Sequence, residues 1–275
     1  MRHLLLFLTI GYLSCSSCTY RMHDNKARIA FERANIPITF KDFTTSGRTI
    51  HYAEVNTGRT NKPTLFFIHG SPASWHCYDN YMQDTDLVKK FRIISIDRPG
   101  FGFSNFGEAT TVTEQAALVG TLVASLQNGQ PFYVIGHSLG GPVAVKVAAA
   151  HPTEVNGLVI LAGAVSPGGE HEEMWRRLLM PVSFAMPTAL QTCNREIWWF
   201  KKDVQTIPAD LHAIKCPVFI FQGLSDNMVP PKNGYFAQQN LTSASSVKLH
   251  VYEGVHHDIP WTRFEDIKGT LRELK

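Results

Sequence analysis

Short apolar runs recur along this chain with room for a helix between successive ones. Thr64 to Ile68, Arg92 to Ile96, Phe132 to Ile135, Gly157 to Leu161 and Pro217 to Phe221 are rich in β-branched and aromatic residues and lack internal alternation. That is the texture of strands buried on both faces. Val112 to Leu126, Val143 to Ala150 and Lys232 to Asn240 read as helices between them, and Arg263 to Leu274 as a last helix after a strand at Val247 to Tyr252. Such β and α alternation predicts a mostly parallel sheet covered on both faces. Ahead of it, Ile38 to Phe43 and Thr49 to Val55 alternate apolar with polar around Thr45-Ser46-Gly47-Arg48, which predicts an antiparallel edge hairpin. Residues 20–36 form a polar, helical lead-in. The regular order stops at Gly163. From Ala164 to His212, Met174-Trp175, Leu178-Leu179-Met180, Phe184, Met186 and Ile197-Trp198-Trp199-Phe200 are spread among prolines, which reads as an inserted helical cap. Residues 19–163 and 213–275 are then two parts of one core, and 164–212 the cap.

The amino end is patterned differently. Arg2 and His3 precede the apolar stretch Leu4 to Leu13, which has the length of a signal-peptide hydrophobic region and is short for a bilayer span. It reads as an export signal. Ser14-Cys15-Ser16-Ser17-Cys18 follows and resembles the end of a bacterial lipoprotein signal, in which a cysteine after small residues is lipidated. A leucine is usual three residues before that cysteine, whereas Cys15 has Tyr12 there and Cys18 has Cys15, so simple cleavage near Ser17 to Thr19 stands beside lipidation. Residues 1–18 are therefore expected to be a signal peptide or lipoprotein signal, and the protein to be exported: periplasmic, secreted, or held at the membrane through Cys15 or Cys18.

A net charge of +3 over 275 residues, without a basic block, argues against nucleic acid and against a polybasic membrane patch. Cys77, Cys193 and Cys216 are scattered and are expected to be buried thiols, although an oxidising compartment would permit a bridge between two of them. No His, Cys, Asp or Glu cluster has metal spacing. Gly140-Gly141 comes too late for a dinucleotide fingerprint, and no phosphate-loop lysine follows, so no cofactor is expected.

The chemistry concentrates where Phe132 to Ile135 meets the following helix. Gly136-x-Ser138-x-Gly140 there reads as strand, sharp turn and helix, a setting that pushes a serine hydroxyl out of the sheet toward substrate. A serine hydroxyl is a poor nucleophile near neutral pH. It needs a base to take its proton and a third group to orient that base. Asp226 falls just past the strand that ends at Gly223, and His256 and His257 fall just past the next one. Pro142 sits in the first turn of the elbow helix, where its missing N–H removes no intrahelical bond.

These features resemble the α/β-hydrolase superfamily, specifically its cap-bearing, esterase-like serine hydrolases. The resemblance covers about Ile38 to Leu274 and rests on His69-Gly70-Ser71-Pro72, Asp97-Arg98-Pro99-Gly100-Phe101-Gly102-Phe103-Ser104, Gly136-His137-Ser138-Leu139-Gly140-Gly141, Gly223-Leu224-Ser225-Asp226 and Gly254-Val255-His256-His257. It implies the α/β-hydrolase fold, a nucleophile at Ser138, an acid at Asp226 and a base at His257, with His256 where glycine is usual. It also implies backbone N–H oxyanion donors at Leu139 and Ser71, supported by His69, Gly70, Gly136 and Gly140. Relatives that open epoxides or displace halide carry aspartate at the elbow, so a serine disfavours those reactions. Asp97 then reads as a structural turn residue and Asp258 as a solvated loop acid.

The expected reaction is acyl-enzyme hydrolysis of a small to medium, apolar carboxylic ester. Peptide or amide cleavage of an aminopeptidase kind, carbon–carbon bond hydrolysis, and a non-catalytic binding protein on the same fold are the alternatives. An aminopeptidase would need cap acids to hold an amine, and Glu170, Glu172, Glu173 and Glu196 are available. Trp198-Trp199-Phe200 are divided between cap packing and the cleft, and Trp75, His76 and Tyr78 are expected to form the pocket's other wall.

Overall fold

The computed structural model describes residues 23–58, 61–168 and 186–275. The expected export signal, with Cys15 and Cys18, lies outside these residues, as do Glu170, Glu172, Glu173 and the apolar residues from Met174 to Phe184 expected in the cap.

Helix α1 (Asp24–Arg33) leads into the hairpin β1 (Ile38–Thr45) and β2 (Arg48–Val55). Its two-residue turn is Ser46-Gly47, both at positive φ (50° and 72°), the conformation that matches strand twist in a tight hairpin. Then follow β3 (Thr64–Ile68), a 3₁₀ turn (Trp75–Tyr78), α2 (Asp79–Met82), α3 (Thr85–Lys90), β4 (Arg92–Ile96), α4 (Val112–Ser125), β5 (Phe132–His137), α5 (Gly140–Ala150) and β6 (Gly157–Leu161). After the insertion's α6 (Thr188–Asp203) and α7 (Ile207–Ala213) come β7 (Val218–Gly223), α8 (Lys232–Asn240), β8 (Val247–Tyr252), α9 (Ile259–Thr262) and α10 (Phe264–Glu273).

The eight strands form one sheet in the order β1-β2-β4-β3-β5-β6-β7-β8. Only the β1–β2 and β2–β4 pairs are antiparallel. Because alternate side chains leave opposite faces, β3 feeds two cores. Phe66 and Ile68 pack with α4, α5, α7 and α8, while Leu65 and Phe67 pack with α1, the 3₁₀ turn and α10. Burying each such side chain contributes roughly 1.5–3 kcal/mol, which is why the central strands tolerate no polar alternation.

The predicted insertion divides in two. In α7, Ile207 and Leu211, followed by Ile214, are fully buried in the same core as α5, and Lys146 of α5 reaches Asp210 at 2.8 Å. This part of 164–212 therefore belongs to the helical layer over the sheet, because its apolar stripe faces α5. Helix α6 is tied down at its end by Asp203, whose carboxylate accepts from Val112 N–H at 2.8 Å. Trp75, His76 and Tyr78 depart from expectation. They are buried, with the Trp75 ring against Phe31 and Phe40 and the Tyr78 ring 4.6 Å from Phe67. The 3₁₀ turn tucks Trp75 and Tyr78 into the core on the α1 side of the sheet, with His76 buried beside them.

Candidate active site

Strand β5 delivers Ser138 at φ +54°, a left-handed conformation that a non-glycine residue adopts only when its surroundings enforce it. The enforcement is visible. Ser138 N–H donates to Leu161 O at 3.1 Å, and Ser138 O accepts from Gly141 N–H at 3.0 Å and Ala164 N–H at 3.2 Å. Two glycines make the turn sterically feasible. A Cβ on Gly136 would fall 2.7 Å from Ala144 Cβ and closer still to the Gly140 carbonyl, and one on Gly140 would meet the carbonyl oxygens of Ile68 and His69. The second contact is what lets the start of α5 lie against the end of β3.

The serine hydroxyl points at an imidazole. His257 Nε2 stands 2.9 Å from Ser138 Oγ, and His257 Nδ1 stands 2.7 Å from Asp226 Oδ2. A carboxylate only accepts, so Nδ1 carries the proton and Nε2 is left to accept from the hydroxyl. The other oxygen of Asp226, Oδ1, accepts from Met228 N–H at 2.9 Å and Val229 N–H at 2.8 Å, which locks the carboxylate in place. Asp226 is buried and His257 half-buried. The loops after β7 and β8 meet because Gly223 lacks a side chain: a Cβ there would fall 2.6 Å from His256 O. His256 itself is exposed, with Nδ1 2.8 Å from Ser225 O, so the adjacent histidine is directed away from Ser138. Asp258 is exposed at the start of α9.

The loop after β3 completes the constellation. His69 is buried, with Nδ1 2.6 Å from Gly70 O and Nε2 accepting from Arg98 N–H at 2.9 Å. Burial and, after it, the Arg98 charge hold its imidazole well below the ordinary histidine range, so it is neutral and does no proton transfer. A Cβ on Gly70 would come 2.9 Å from Ser138 Cβ, which shows how closely this loop approaches the elbow. Among the described residues, neither Leu139 N–H nor Ser71 N–H takes part in a hydrogen bond. His137, next to the nucleophile, donates from Nε2 to His257 O at 3.1 Å. Burial and the facing His257 pull its pKa down to about 3. Asp97 does act as a turn residue, accepting from Trp75 N–H at 2.8 Å and Phe103 N–H at 2.7 Å.

The burial of one candidate cap acid is not evident from sequence. Glu196 of α6 is 1% exposed and pairs with both terminal guanidinium nitrogens of Arg98, Nη2 at 3.1 Å and Nη1 closer. It also accepts from Gln115 Nε2 at 2.7 Å and from Ser71 Oγ–H at 2.7 Å. Its two carboxylate oxygens are fully engaged, so it offers nothing to a substrate amine. The available signal was positional: Glu196 lies in line with Ala189, Thr192, Cys193 and Phe200, the buried stripe of its helix. Among the described residues no group of three or more His, Cys, Asp or Glu side chains could hold a metal ion. Cys77 and Cys193 are buried thiols and Cys216 is a partly buried one.

A parallel sheet with an elbow serine, and an acid and a histidine on the two loops that follow, defines a class, the α/β hydrolases. Comparison with known proteins agrees. The model of the alpha/beta hydrolase fold family matches residues 63–196, which include Ser71 and Ser138 but end before Asp226 and His257. Rat monoglyceride lipase (Rattus norvegicus) is 22% identical over 78% of this chain and 82% of its own length. The 1-acylglycerol-3-phosphate O-acyltransferase of Arabidopsis thaliana is 34% identical, but over only 37% of this chain and 25% of its own length. Monoacylglycerol lipase from Paleococcus ferrophilus superposes with a TM-score of 0.64 at 16% identity, covering 82% of this chain and 97% of that one. The chain has the α/β-hydrolase fold, matches that family over residues 63–196, and is a hydrolase.

Proposed function

We propose that this protein is a serine hydrolase that cleaves small to medium, apolar carboxylic esters through an acyl-enzyme. The observation that carries the reading is the unbroken chain from Ser138 Oγ through His257 to Asp226, at 2.9 Å and 2.7 Å. The lipases among its relatives support an ester as substrate at the family level. Met228 beside the acid and Trp261 against His137 are exposed apolar side chains next to the triad. They favour an apolar acyl or alcohol group over a charged one.

In the first half-reaction Ser138 Oγ attacks the ester carbonyl while His257 Nε2 takes its proton. The charge that develops on the carbonyl oxygen is met by the N–H groups of Leu139 and Ser71, each donor being worth about 2.7–4 kcal/mol of transition-state stabilisation. Asp226 keeps the proton of His257 on Nδ1 and stabilises the imidazolium. That imidazolium then protonates the leaving alkoxide. In the second half water, deprotonated by His257, attacks the acyl-serine, the proton returns to Ser138, and the acid is released.

An aminopeptidase is less well supported, because the one described cap glutamate, Glu196, is saturated by Arg98, Gln115 and Ser71. We assign residues 1–18 to an export signal that leaves the enzyme periplasmic, secreted or lipid-anchored at Cys15 or Cys18. Fluorophosphonate labelling tests the catalytic reading: wild-type protein should label and Ser138→Ala should not. A p-nitrophenyl ester panel tests the substrate class, with medium-length acyl chains preferred to charged ones. Labelling that persists in Ser138→Ala refutes the nucleophile, and equal turnover of charged esters refutes the apolar preference.

A further inference from the structure

Glu196 has no part in the proton transfers above, yet each strong contact it makes leads to the loop that carries the second oxyanion donor. Ser71 Oγ–H donates to it directly at 2.7 Å. Arg98, its ion-pair partner, is fully buried and reaches the same loop twice more, from Nη2 to Gly70 O at 3.1 Å and from its backbone N–H to His69 Nε2 at 2.9 Å. Gln115 Oε1 accepts from Arg98 at 2.7 Å, and its amide donates to Glu196, so donors and acceptors close into one network. Ser71 is thus held directly by a carboxylate that stands on α6, in the segment inserted between β6 and β7, and Gly70 and His69 are held by that carboxylate's ion-pair partner, Arg98.

A buried ion pair is a poor device for anchoring a helix, since apolar side chains of similar volume usually do as well or better. What apolar groups cannot do is hold a hydroxyl and a carbonyl at fixed angles. We propose that Glu196 is a positioning residue: through Ser71 Oγ and Arg98 it sets the aim of Ser71 N–H at the oxyanion, so that the inserted helix governs kcat as well as substrate access. The proposal rests on the serine-hydrolase reading above and adds the element that orients its donor.

The test is steady-state hydrolysis of p-nitrophenyl butyrate by the full-length protein carrying Ser71→Ala, Ser71→Thr, Glu196→Gln, or Ser71→Ala with Glu196→Gln. Ser71→Ala keeps the backbone donor and deletes only the hydroxyl link. Its kcat is expected to fall about tenfold to a hundredfold with little change in KM, the size of a misdirected rather than a missing donor. Ser71→Thr should recover most of the loss, and the double variant should be no slower than the worse single, because both changes break one link. If Glu196→Gln fails to fold, Arg98→Met with Glu196→Met, which leaves no unpaired charge, must show the same fall in kcat. Wild-type kcat in a folded Ser71→Ala protein, or losses that simply multiply in the double, would overturn the proposal. Wild-type protein that neither hydrolyses esters nor labels with fluorophosphonate would instead refute the serine-hydrolase reading, and the proposal with it.

Discussion

Asp226→Asn isolates the role of the acid, because the structure dictates how the new amide must sit. Oδ1 of Asp226 faces the N–H groups of Met228 and Val229 at 2.9 and 2.8 Å, and two donors there demand a carbonyl oxygen. The asparagine oxygen is therefore held on that side, and its NH₂ takes the place of Oδ2, 2.7 Å from His257 Nδ1. Facing a donor, Nδ1 must become the acceptor. The imidazole proton then moves to Nε2, which donates to Ser138 Oγ instead of accepting from it, and the nucleophile loses its base. Losing the correct tautomer in a serine triad costs about 10⁴ in kcat, or roughly 5.5 kcal/mol at the transition state. The shape is preserved, so KM and the melting temperature should stay close to wild type. Ester hydrolysis with matched thermal melts is the assay. A folded Asp226→Asn enzyme that keeps kcat within tenfold of wild type would refute this account of the acid. Asp226→Ala is a poorer probe, since it also strands two N–H groups at a cost of about 1–3 kcal/mol each.

His257→Ala should abolish turnover and His256→Ala only reduce it, measured side by side on one ester; the reverse would mean the two loop histidines exchange roles. Gly136→Ala should lower the melting temperature by several degrees, since a Cβ only 2.7 Å from Ala144 Cβ overpacks the elbow at a cost of about 1–3 kcal/mol; an unchanged melt would show that the elbow can yield. Asp79 tests the pH dependence of stability. Burial raises its carboxyl from the ordinary 3.8 to about 7, so the folded state keeps a proton that the unfolded chain releases. Its contribution to stability falls as pH rises from about 4 to about 7 and stays low above that. Asp79→Asn should therefore match wild type near pH 4 and exceed it at pH 8 by on the order of 4 kcal/mol in denaturant melts; equal stability at pH 8 would show that the ionised carboxylate is solvated.

The parts of this protein written in neighbouring residues can be read directly from the order of its amino acids. Runs such as Thr64–Ile68 and Gly157–Leu161 are strands because every side chain in them is apolar or small enough for a two-sided core. The elbow is a local object, since Gly136, Ser138 and Gly140 occupy one turn, and the order Ser138, Asp226, His257 follows from loops at the carboxyl ends of parallel strands. The features fixed by tertiary packing are long-range. Which of two adjacent histidines faces Ser138 depends on how the β8 loop crosses Gly223. Trp75 and Tyr78 have the composition of a pocket wall and lie instead in the core behind the sheet. Helix α7 has the composition of a cap and packs beside α5. Arg98 and Glu196 are 98 residues apart, with only the burial of α6 to bring them together. Periodicity reports that a face will be buried. It does not report against what, because that is set by chain crossings which no local run of residues encodes.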